Sequence, residues 1–193
     1  MLVLARKLVD RLRQPRTRAD EVAELRRRFA AAPGPAVASA GEVEAARELA
    51  SLRARMIAAL GLVDACAGCA RGHPLPHGRW DGGHCCGGTA AGVFGDDEVA
   101  ALRLSGTTPA SLVAPRGDHA GCSFRGPTGC SLDPAHRPNL CVRYLCRELE
   151  AELRARGDLP AIKAIGASMS AELARFSRAR AARLLAGADP EAP

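Results

Sequence analysis

All eight cysteines of this 193-residue chain fall between positions 66 and 146. They stand as Cys66-Ala67-Gly68-Cys69, then Cys85-Cys86, then Cys122, Cys130, Cys141 and Cys146, where random placement would have scattered them. Two cysteines separated by two residues can wrap one metal ion, because the intervening turn aims both sulfurs inward, and Gly68 lets the backbone make that turn. Gly82, Gly83, Gly87 and Gly88 surround the second pair. In a reducing cytosol such thiols serve as metal ligands more readily than as disulfides. All eight are therefore candidate ligands of zinc or of an iron-sulfur cluster.

The remaining composition bounds the fold. A chain of this length suits one hydrophobic core with appended ends. Hydrophobic residues make up 47 % of it but aromatics only 3 %, so Leu, Ala, Val and Ile must build the core, a mixture that favours helices over strands. The expectation is a mainly α, single helical domain with Gly/Cys-rich metal-binding loops and little or no sheet. Charges break the opening apolar run before a signal-peptide core can form. No stretch approaches the roughly 18 to 20 uncharged residues that a membrane span needs. A soluble, cytoplasmic protein with no membrane partner is expected.

Along the chain, Leu4, Leu8 and Leu12 recur at helical spacing before Pro15, and Thr17 with Asp20 opens a second helix carrying Val22, Leu25 and Phe29. This N-terminal helical pair occupies 1–31. A linker over 32–40 contains Pro33, Gly34 and Pro35. The cysteine-cluster helical domain follows over 41–186, with a frayed tail at 187–193. Ser39 and Glu42 have capping-box spacing, and Val43, Ala46, Leu49, Leu52, Met56, Leu60 and Val63 predict one long amphipathic helix that delivers Cys66 at its end. From Ala67 to about Gly95 the chain is dense in Gly and shows no period. A loop that long inside a compact domain needs something to order it, and metal is a natural candidate. A short helix is expected over Asp96–Leu104. A second irregular stretch carries Cys122 and Cys130. One helix then runs from Pro138 to Arg156 with Cys141, Leu145, Leu149 and Leu153 at steps of four, and a last helix from Pro160 uses Ile165, Met169, Leu173 and Phe176.

The cysteine pattern resembles that of the putative zinc- or iron-chelating domain family, the YkgJ-type cysteine-cluster proteins. Cys66 and Cys69 match that family's opening C-x-x-C, and Gly83-His84-Cys85-Cys86 its Gly-x-Cys-Cys element. Cys122-Ser123-Phe124, Gly129-Cys130-Ser131-Leu132 and Arg137-Pro138-Asn139-Leu140-Cys141 match the later elements. The resemblance implies metal chelation and covers less than half of the chain. Two departures stand out: Arg71 to Gly83 separates the first two cysteine pairs, and Ser131-Leu132-Asp133-Pro134 replaces the usual Ile-Tyr.

Adjacent Cys85 and Cys86 are awkward as paired ligands of one tetrahedral ion, because neighbouring side chains diverge; they suit a polynuclear centre or two nearby sites better. His73, His77 and His84 lie where a metal could recruit them, with Trp80 as a lid, and Arg137 and Arg143 could offset thiolate charge. On a continuous helix Cys141 and Cys146 would stand about 140° apart, which weakens Cys146 as a co-ligand. The geometric expectation is that Cys66, Cys69, Cys85 or Cys86, Cys130 and Cys141 converge on one pocket. No phosphate loop, H-E-x-x-H or G-x-S-x-G occurs, so no catalytic residue is assigned.

Three functions compete: a metal-binding accessory or sensor protein with a protein partner, an iron-sulfur component of a redox or group-transfer enzyme, and a nucleic-acid-binding zinc module. The net charge of +6 and Arg26-Arg27-Arg28 motivate the third. Acidic residues interleaved with the arginines favour a solvated helix surface instead, and nucleic acid is not the expected partner.

Overall fold

The computed structural model describes Leu12 and residues 18–63, 90–115, 122–126 and 129–187. Helix α1 (Arg18–Ala31) buries Val22, Leu25 and Phe29, the side chains that its periodicity singles out. Helix α2 (Ala40–Leu60) begins at the expected capping box: Ser39 Oγ accepts from the Glu42 N–H at 3.2 Å and Glu42 Oε2 accepts from the Ser39 N–H at 2.8 Å. Replacing Ser39 by Ala is expected to cost about 1 kcal/mol. A lowered urea midpoint would show this, and an unchanged one would mean the box contributes nothing.

The same Glu42 carboxylate takes two bonds from Arg183, at 2.7 and 3.2 Å. Burial, the largest single influence, pushes its pKa up, but the bonds from Arg183 and Ser39 together outweigh it and hold the group below its ordinary value. Its contribution to stability is therefore present above pH 4.5 and is lost as pH falls through the lowered value.

Helix α2 ends at Leu60. Gly61 adopts φ 57° and its N–H donates to Ile57 O at 3.0 Å, so the glycine closes the helix in a conformation other residues rarely take. The expectation that this helix delivers Cys66 at its end is thus corrected; Val63 lies beyond the helix yet still reaches the core.

Within the stretch expected to be wholly irregular, α3 (Ala90–Val93) forms one helical turn, and α4 (Asp96–Leu104) follows as expected. A 3-10 turn (Pro109–Ser111) precedes the only pairing of strands among the described residues, β1 (Arg125–Gly126) with β2 (Gly129–Cys130), antiparallel with Arg125 opposite Cys130. A second 3-10 turn (Pro134–His136) leads into α5 (Asn139–Arg143), α6 (Arg147–Arg156) and the long α7 (Leu159–Ala186). The fold is mainly helical.

The single helix expected from Pro138 to Arg156 is in fact two. Tyr144 turns to an extended conformation (φ −72°, ψ 125°), and Cys146 becomes the N-cap of α6, its sulfur accepting from the Leu149 N–H at 3.4 Å. Glu148 and Glu150 in the first turn favour a helix start there.

Three apolar clusters form the interior. One joins the C-terminal half of α2 to α5, α6 and the first half of α7 through Met56, Leu60, Val142, Leu153 and Ile162. A second joins Ala45, Ala46 and Leu49 of α2 to Ala100, Ala101 and Phe176. The third collects Val22, Leu25 and Phe29 of α1 with Phe94, Leu102, Leu112, Phe124 and Leu132. Helix α1 therefore shares a core with the cysteine-bearing segment, and the stretch 32–40 connects helices of one interior. No described helix is long and apolar enough to cross a membrane.

Candidate metal centre

The third cluster carries the cysteines. Cys122 belongs to it, 7 % exposed, and Cys130 and Cys141 pack against it half-buried. Each arrives on a different element. Cys122 precedes a turn in which the Arg125 N–H donates to its carbonyl at 3.0 Å; Cys130 sits in β2; Cys141 sits in α5. Leu132, which stands in the segment that departs from the family pattern, is 3 % exposed in the same cluster.

Polar contacts fasten this segment to its surroundings. Ser123 donates to the buried Glu21 carboxylate of α1. Ser131 Oγ donates to Val113 O at 2.6 Å, and Arg137 Nε donates to Leu132 O at 3.0 Å, closing the loop between β2 and α5. Arg137 is thus buried beside the cysteine segment, whereas Arg143 is exposed.

Beneath α5 lies a network that the reading of the sequence did not single out. Arg53, 1 % exposed, donates through Nη2 to Asn139 Oδ1 and through Nη1 to Ala135 O, both at 3.2 Å. The Asn139 N–H donates to Glu98 Oε1 at 3.1 Å, and Asn139 Nδ2 donates to Glu98 Oε2 at 3.2 Å. Burial pushes the Glu98 carboxyl above its ordinary pKa, opposed by the bonds from Asn139 and the charges of Arg53 and Arg143. Burial likewise lowers that of Arg53, opposed by Glu98. The signal was present: Arg53 stands four residues after Leu49 and three before Met56, on the apolar stripe of α2. Nearby, Thr107 Oγ1 lies 3.0 Å from His136 Nδ1.

Cys146 is placed elsewhere. It packs against the cluster of α2, α5, α6 and α7, and its sulfur caps α6. Because α5 and α6 are separate helices, the separation of about 140° expected of Cys141 and Cys146 on one continuous helix does not apply. Cys66, Cys69, Cys85 and Cys86, with His73, His77, His84 and Trp80, lie outside the described residues, as does His119. Among the described residues no three His, Cys, Asp or Glu side chains group closely enough to hold a metal ion.

Comparison of the chain with family models, curated proteins and solved structures finds no match. The resemblance to the YkgJ-type proteins therefore rests on the cysteine motif alone.

An open cavity of about 370 Å³ lies between α5 and α7, flanked by Leu140, Arg143, Tyr144, Ile162 and Lys163. None of its described lining residues is a cysteine. Arg26 donates to Leu112 O at 2.8 Å, Arg28 to Phe94 O at 2.6 Å, and Arg27 to Glu24 Oε2 at 2.5 Å. Each arginine of the basic triplet has a partner within the chain, and Arg27 keeps 76 % of its side chain exposed.

Proposed function

We propose that this chain is a cysteine-cluster metal-binding protein, holding zinc or iron through thiolates in an accessory or sensor role in a reducing compartment. The observation that carries the reading is the arrival of Cys122, Cys130 and Cys141 from a turn, a strand and a helix at one apolar cluster. Thiolates are soft donors that select zinc and iron-sulfur centres over hard cations, so the donor chemistry fits. These three cysteines do not make a centre by themselves; Cys66, Cys69, Cys85 and Cys86 would complete the ligand set. Partly exposed Leu140 and Tyr144 beside Cys141 offer apolar surface that suits a protein partner. The adjacent pair Cys85-Cys86 favours a polynuclear centre, which keeps an iron-sulfur redox or group-transfer component as the second reading.

Serine substitutions separate ligands from structural thiols. Cys141→Ser and Cys69→Ser are expected to lose metal occupancy and to lower the unfolding midpoint together. Cys146→Ser is expected to keep both, because serine is itself a good N-cap for α6. Metal content and thermal unfolding of the purified variants provide the measurement. Equal, negligible effects at all three positions would overturn the proposal.

A further inference from the structure

We propose that Glu98, Asn139 and Arg53 form the positioning device of the metal centre, holding α5 so that Cys141 keeps one orientation toward it. The inference rests on Cys141 being a ligand, as proposed above. Helix α5 spans five residues, far below the length at which a helix sustains itself, so its placement is set by tertiary contacts. Its buried residues are Asn139 and Val142, and Cys141 stands between them. Val142 enters the cluster of α2, α6 and α7, while Cys141 faces the cluster of the cysteine segment. Apolar burial is non-directional and fixes how deeply α5 sits, but not its rotation or register.

The directional contacts come from the network. Glu98 on α4 takes the backbone N–H of Asn139 on both oxygens, at 3.1 and 3.3 Å, and the side-chain amide at 3.2 Å. Arg53 on α2 donates at 3.2 Å to Asn139 Oδ1 and at 3.2 Å to Ala135 O. The chain is thereby gripped before and after Arg137-Pro138, two residues short of the thiol. A buried pair of opposite charges adds little stability over apolar packing of the same volume, and the role best attested for such groups is to select one arrangement. Partners behind a metal ligand characteristically contribute 10- to 100-fold in metal affinity.

The experiment uses the full chain, freed of metal and titrated anaerobically with Co²⁺ as the probe. The sulfur-to-cobalt charge-transfer band reports thiolate ligation, the d–d bands report its geometry, and chelator competition gives affinity. Glu98→Gln and Asn139→Ala are each expected to weaken Co²⁺ binding about 10- to 100-fold and to shift the d–d bands at saturation. Phe176→Leu, in a separate apolar cluster, is expected to lower the unfolding midpoint while leaving the saturated spectrum unchanged. Should Glu98→Gln fail to fold, Asn139→Ala, which keeps its backbone N–H for Glu98, decides. Folded variants with wild-type spectra and affinities would overturn the inference and leave the thiolate site standing. A wild-type chain without the charge-transfer band would remove both.

Discussion

Replacing Phe29 by alanine is expected to destabilise the protein by about 3 to 5 kcal/mol, the cost of losing a fully buried aromatic ring and leaving a cavity. The chain has four phenylalanines, and three of them meet in the cysteine-bearing cluster. Phe29 packs edge-on against Phe94, with centroids 5.9 Å apart, and Phe94 lies 5.9 Å from Phe124. Phe29 is fully buried on α1, so its loss opens a void between that helix and Phe94 in the cluster that Cys122 shares. Guanidinium chloride unfolding of Phe29→Ala measures the loss. A change below about 1 kcal/mol would mean that α1 is dispensable to this core.

Arg53→Ala is expected to be comparably severe, about 3 to 5 kcal/mol, because it strips the buried Glu98 carboxylate of its opposing charge and Asn139 Oδ1 of its donor. The same variant leaves the Ala135 carbonyl without the bond from Arg53. A loss near zero would indicate that Glu98 is neutral or solvated in the folded chain.

The pH dependence follows from the direction of the Glu98 shift. Its folded pKa is raised, so the folded state holds the proton more tightly than the unfolded one, and the stability linked to this group is fully present below the ordinary value of 4.5. That stability is lost as pH rises through the raised value. Wild-type protein should therefore gain stability relative to Glu98→Gln as pH is lowered from neutral toward 4.5, above the range where Glu42 begins to act in the opposite sense. Parallel melting curves across that window check the sign, and identical slopes would contradict it.

Much of the helical framework was legible because it rests on local rules. Val22, Leu25 and Phe29 announce α1 by spacing, and Ser39 with Glu42 announces the start of α2 through a cap that both residues complete. The failures came where a single residue overrode periodicity. Gly61 stops α2 although Val63 continues the apolar stripe, since its positive φ of 57° with ψ −151° turns the backbone out of the helix. Cys146 splits the helix expected through Leu145 and Leu149 by acting as a cap, a role for which cysteine is not a usual signal. Arg53 was hidden for the opposite reason: a guanidinium on an apolar stripe reads as a solvated side chain until its partners arrive from α4 and α5, 45 and 86 positions away. Among the candidate ligands, the shared cluster of Cys122, Cys130 and Cys141 depends on such long-range contacts, whereas their motif spacing is visible in the chain itself.

Metal and acid-labile sulfide per chain, quantified after anaerobic purification and paired with titration of reactive thiols, test thiolate chelation most directly. Stoichiometric zinc, or iron with matching sulfide, is expected, and the ligand thiols, Cys146 apart, should react only after a chelator is added. A fully folded chain with no metal and all eight thiols open to reagent would contradict it.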